Sequence, residues 1–173
     1  MDTSKLTAWF SALKPRQRIV LVMVLLGAAF FLILPLALRV NSYPLAGGDT
    51  VTSWRWNGAY ADGATKQRQT GQEIVRLKAL LGKNSAKDYE ILVGIASQYE
   101  LLGDGKTAYH YLSQAIAKDH SRGLAYMNMG QLMESLGALE TARAAYDAAV
   151  KAEPKSGVYI SARDSFYARH PKK

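Results

Sequence analysis

The 173-residue chain is long enough for one modest domain, and its lack of cysteine excludes a disulfide framework, a thiol nucleophile and a cysteine zinc site. Its net charge of +8 is unevenly placed: residues 1–18 carry +3, residues 39–87 carry +5, and residues 88–173 balance ten basic against ten acidic side chains. Positive charge gathered around an apolar block suits anionic lipid headgroups. It argues against nucleic acid, whose binders set a basic stripe on the folded domain.

In chain order, Leu6, Trp9, Phe10 and Leu13 fall at helical spacing before Pro15, which predicts a short interfacial helix. The pattern Trp9, Leu13, Pro15, Arg16 and Arg18 ahead of an apolar run is similar to the N-termini of some bacterial secretion-platform proteins. Ile19 to Leu38 is a run of 20 uncharged residues bracketed by Arg18 and Arg39. A helix of that length spans about 30 Å, the hydrocarbon thickness of a bilayer. The run has no polar face for a soluble helix and no small-residue cleavage site after it, so it is read as an uncleaved transmembrane anchor. Four basic residues precede it and only Arg39 and Arg55 follow within 20 positions, which predicts a cytoplasmic N-terminus and an extracytoplasmic domain.

Residues 39–66 read as a linker or stem, broken by Pro44, Gly47, Gly48, Gly58 and Gly63. Within it Trp54, Trp56 and Tyr60 form an aromatic strip. It is either a docking strip or, as aromatic clusters usually pack, a segment folded back over the first apolar face of the helical domain. Residues 67–173 read as that domain. A helix over about 70–81 carries Ile74, Val75, Leu77, Leu80 and Leu81 as one apolar face and stops at Gly82. Further helices are expected over roughly 87–102, with Ser85 as cap, over 107–118, from 123 to Leu136, from there to Ala152, and over 158–169.

Residues 89–122 align without gaps on 123–156, a period of 34. Six positions are identical: Glu100/Glu134, Leu102/Leu136, Gly103/Gly137, Thr107/Thr141, Ala108/Ala142 and Ala115/Ala149. Small residues at Ala96/Gly130, Ala108/Ala142 and Ala115/Ala149 allow paired helices to approach closely. The period, with Tyr126, Met129, Gly130, Gly137, Ala142, Tyr146, Ala149 and Pro154 in the second copy, resembles the tetratricopeptide (TPR) family. The first copy departs from that pattern with His120 in place of proline. The resemblance implies an all-α fold, a short TPR-type solenoid of helical hairpins behind the transmembrane helix, with the helices near 70–81 and 158–169 as caps.

It also implies a partner-binding groove on the first helix of each pair. In the first copy that face holds Glu90, Val93, Ser97, Glu100 and Leu101. In the second it holds Leu124, Met127, Asn128, Gln131, Glu134 and Ser135, with Asn128 where the family often bonds a peptide backbone. The groove reads as mildly acidic and partly apolar, suited to a protein or peptide with basic residues, unless residues 40–66 cover part of it.

Gly103 to Thr107 ends like a phosphate loop, but Glu100 stands where that motif needs glycine. His110, His120 and His170 show no metal-ligand spacing, and no carboxylate pair has an acid–base setting. The expectation is therefore no enzyme activity, no catalytic residue, no cofactor, no metal and no small-molecule substrate. The expected role is a membrane-anchored scaffold or adaptor in a bacterial inner-membrane assembly of the pilus, secretion or cytochrome-maturation type. The alternatives are a structural subunit of a larger membrane complex, or an organelle-membrane receptor with a cytosolic TPR domain.

Overall fold

The structure is a computed structural model, which describes Lys14 and residues 43–55, 58–60 and 63–172. The segment 1–18 (apart from Lys14), the apolar run 19–38, and Trp56 and Asn57 of the aromatic strip lie outside the described residues. Among the described residues, no helix is long and apolar enough to cross a membrane. Residues 41–173 form one compact unit.

That unit is all-helical among the described residues: α1 (Ala64–Leu80), α2 (Asp88–Leu101), α3 (Gly105–Lys118), α4 (Gly123–Ser135), α5 (Leu139–Ala152) and α6 (Gly157–Arg169). The starts of α3 and α5 lie 34 residues apart, as do those of α4 and α6. The sequence period is therefore the period of the structure, and α6 stands where the first helix of a third unit would. α2 pairs with α3 and α4 with α5, while α4 also touches both α2 and α6, so the first helices of successive units lie side by side.

The hairpins close because the residues at their crossings are small. Ala96, Ala108, Ala115, Ala142 and Ala149 are fully or almost fully buried, and Ile95, Leu112, Met129 and Met133 fill the space between them. One pair is exchanged between copies. Ala96 and Leu112 of the first become Gly130 and Tyr146 of the second, and a Cβ on Gly130 would sit 3.0 Å from the Tyr146 ring. Each hairpin turns on a glycine with positive φ, Gly103 (74°) and Gly137 (77°), a conformation that costs glycine little. Phe166 of α6 is fully buried, 5.0 Å from the Tyr146 ring centroid, and closes the far end of the core.

α1 is longer than its apolar pattern suggests. It begins at Ala64, because the run Thr65 to Gln69 is polar but contains no helix breaker. Its buried face is narrower than expected. Thr70 and Ile74 are buried and Leu77 lies against Gly94, but Val75 is 68% exposed and Leu80 38% exposed. Val75 follows Ile74 directly and so points about 100° away around the helix. The predicted cap at Ser85 is replaced by Asn84, whose side chain accepts from Ala86 N–H at the start of a short 3-10 turn.

The stem is not free. Tyr43 N–H donates to Ser113 Oγ (2.9 Å), and Tyr109 donates its hydroxyl to the Tyr43 carbonyl. Trp54 packs on Tyr109 of α3 at 5.0 Å between centroids, and its carbonyl accepts from Gly105 N–H (2.8 Å), the first donor of α3. Arg55 forms an isolated antiparallel bridge with Asp104, and Tyr60 N–H donates to the Leu101 carbonyl. Residues 43–55 and 58–60 thus form a strap across the turns of both hairpins. Its approach at Gly58 is so close that a Cβ there would lie 2.3 Å from the Leu101 carbonyl oxygen.

The strap also supplies a missing helix cap. In the first hairpin Asp104 accepts from Thr107 N–H (3.1 Å) and from the Thr107 hydroxyl (2.8 Å). The corresponding residue of the second hairpin is Ala138, which has no side chain to do this. Asp49 of the strap takes its place, accepting from Thr141 N–H (2.6 Å) and the Thr141 hydroxyl (2.8 Å), while Ala46 N–H donates to Thr141 Oγ1. Loss of an N-cap costs about 1 kcal/mol. Asp49→Ala is expected to destabilise the full chain by about that much in chemical denaturation in detergent, and adding Ala138→Asp to recover most of it.

Candidate functional site

The first helices α2, α4 and α6 lie side by side in the row that the TPR resemblance makes the inward one, and the structure distributes the expected groove residues unevenly along it. Val93 is buried in the core. Leu124 and Met127 are half-buried and pack against the core, and Asn128 is half-buried on α4. Glu90 pairs with Arg122 at 2.6 Å. Ser97, Glu100 and Leu101 of α2 and Gln131, Leu132 and Ser135 of α4 come together, with Gly58 and Ala59 of the strap, around a cleft of about 360 Å³. The strap therefore borders this face, as the sequence allowed, but leaves a cleft open between α2 and α4.

The two glutamates at matching positions meet opposite fates. Glu134 accepts from Arg169 Nε (3.0 Å) and Nη2 (3.1 Å) in a forked pair, from Tyr146 OH (3.1 Å), and lies 2.9 Å from His170 Nε2. Burial pushes the Glu134 carboxyl up, but the hydrogen bonds from Arg169, His170 and Tyr146 outweigh it and hold the carboxyl below its ordinary range. Burial and the nearby Glu134 carboxylate push the Tyr146 phenol the other way, well above its ordinary value.

Glu100 has none of these partners. One repeat before Arg169, His170 and Tyr146 stand Ser135, Leu136 and Leu112, and the Ser135 hydroxyl is turned to the Gln131 carbonyl. Glu100 Oε1 is buried without a hydrogen bond, and burial alone pushes the carboxyl up to about 7. The groove that reads as mildly acidic is thus largely neutralised from within. Of its three glutamates, Glu90 and Glu134 have cations and Glu100 does not.

Sequence reasoning missed the role of Arg169 and the contribution of Gly58, Ala59 and Leu132. The lead for Arg169 was its separation of 35 residues from Glu134, one repeat plus one. The phosphate-loop resemblance is absorbed by the turn, since Thr107 N–H is already bonded to Asp104. Among the described residues no three His, Asp or Glu side chains gather where they could hold a metal ion.

No protein-family model, curated protein or solved structure in the three comparisons matches the chain.

The unpaired carboxyl has a pH signature. Its folded-state value near 7 lies above the ordinary 4.5, so the folded form holds the proton more tightly than the unfolded chain. The stability linked to Glu100 is full below about pH 4.5 and is lost as pH rises to about 7. Glu100→Gln is expected to remove that part of the pH dependence and to stabilise the chain at pH 8 by about 1–3 kcal/mol, with little effect at pH 4, in denaturation curves.

Proposed function

We propose that the chain is a membrane-anchored, TPR-type adaptor whose inward helix row holds a segment of a partner protein in a bacterial envelope assembly. The observation that carries this reading is the cleft between α2 and α4. It lies on the inward row and is bordered by polar and apolar side chains together, and one of those polar groups is buried without a partner. Protein sites left in this condition are commonly completed by a ligand.

The 34-residue hairpin repeat supports the family reading, because stacked hairpins of this kind serve as binding surfaces. The uncharged run 19–38 with its basic flanks supports the anchor and a cytoplasmic N-terminus. The balanced charge of residues 88–173 and the intramolecular pairing of Glu90 and Glu134 favour a selective contact over diffuse electrostatic capture.

Two measurements test the reading. Photo-crosslinkers placed in native membranes at Asn128 on the inward row should give adducts of defined mass, whereas the same group at exposed Lys151 of α5 should not. Equal labelling from both positions would remove the groove from the proposal. A Ser156→Cys variant, the sole thiol in the chain, should react with an impermeant maleimide in intact cells. Protection until lysis would place the domain in the cytoplasm.

A further inference from the structure

The paired and unpaired glutamates of the two repeats are the same chemical site seen twice. In the second repeat the chain itself supplies the occupant: the guanidinium of Arg169 lies on Glu134 with two parallel N–H to oxygen bonds. That geometry is the preferred one between guanidinium and carboxylate. In the first repeat the carboxylate and the surrounding helices are present. The residues in the register of Arg169 and His170 are Ser135 and Leu136, which bring no cation. The volume that a guanidinium would fill is the open cleft.

We propose that this cleft receives the side chain of an arginine from a different polypeptide, its guanidinium paired with the carboxylate of Glu100. The proposal rests on the reading of the inward row as a partner-binding face and names the chemistry that the face selects.

Three features favour arginine over lysine. The internal precedent is a fork, which a compact ammonium cannot reproduce. Gln131 and Ser97 line the same cleft and carry acceptor oxygens for the remaining N–H groups. Leu101, half-buried at the cleft, offers apolar surface for the planar face and stem of the side chain, which arginine carries with weaker hydration than lysine.

The test uses the full chain in detergent, isotope-labelled for NMR, and two blocked tripeptides, Ala-Arg-Ala and its citrulline counterpart. Citrulline keeps the shape of arginine and removes the charge. The arginine peptide should shift the signals of Ser97, Glu100, Gln131 and Ser135 saturably, and binding should fall roughly ten-fold or more with citrulline or in Glu100→Gln. Equal shifts from both peptides, or shifts confined to other surfaces, would overturn the proposal.

A second variant covers weak binding by so short a peptide. Ser135→Arg places a guanidinium in the register of Arg169 and should raise the melting temperature in the native background but not with Glu100→Gln. Absence of that Glu100-dependent gain, together with a silent arginine peptide, would also overturn the proposal. Self-association of the full chain that disappears in Glu100→Gln would overturn the assignment to a different polypeptide and give the arginine to a second copy. If adducts from position 128 persist unchanged in Glu100→Gln, the arginine pocket fails while the adaptor reading stands. If no adducts form even in the native chain, the adaptor reading fails by itself.

Discussion

Close approach of paired helices is the constraint on which the rest of this unit depends. Between α2 and α3 and between α4 and α5, alanine or glycine stands at buried positions 96, 108, 115, 130, 142 and 149, and larger side chains fill the space between them. At one place a larger side chain is admitted opposite a compensating loss, as Gly130 and Tyr146 show against Ala96 and Leu112. The hairpins in turn fix where one first helix lies against the next, and that spacing sets the width of the cleft between α2 and α4. A site of this kind belongs to the packing of the repeats and not to any single motif.

The two hairpins are built alike but completed differently. The first carries its own cap in Asp104, whereas the second borrows Asp49 from the strap across 92 residues. The first leaves its glutamate unpaired, whereas the second has its glutamate covered by Arg169 of α6 and by His170, which caps that helix. α6 is docked for that purpose by more than one contact. Arg143 of α5 donates to the His170 carbonyl at 2.7 Å and lies over the rings of Phe166 and Tyr167, and Tyr167 donates to Asp147 at 2.6 Å. α6 thus covers one end of the row of first helices, leaving the middle of the row open.

Most of the helical layout was legible in the sequence because it is written twice. The turns at Gly103 and Gly137 and the buried alanines repeat at a fixed interval, and the hairpin helices begin and end within about two residues of their expected positions. What the sequence did not disclose is what breaks the repeat. Asp49 sits in a stretch without periodicity, so nothing local marks it as the cap of a helix beginning at Leu139. Arg169 lies on a helix whose surface is largely polar, and only its distance in repeat units from Glu134 distinguishes it. The Val75 and Leu80 positions were misread because an apolar residue on a marginal helix need not face inward. For the site, Ser97, Glu100 and Gln131 were legible as a row, but the neutralisation of Glu90 and Glu134 was not, since it depends on side chains from neighbouring elements.

The strap has a consequence for the order in which the chain can be completed. A polypeptide is made from its N-terminus, so Tyr43 to Tyr60 leave the ribosome before any helix they touch exists. Their anchors lie far downstream: Tyr43 bonds to Ser113, 70 residues later, and Ala46 to Thr141, 95 residues later. The hairpins, by contrast, close between neighbouring helices and can form as they emerge. Until Thr141 is synthesised the aromatic segment has no complete seat, and afterwards it is held at both hairpins at once. Docking of the strap therefore follows the first hairpin and waits for the start of α5, and it joins the two hairpins before α6 has been made.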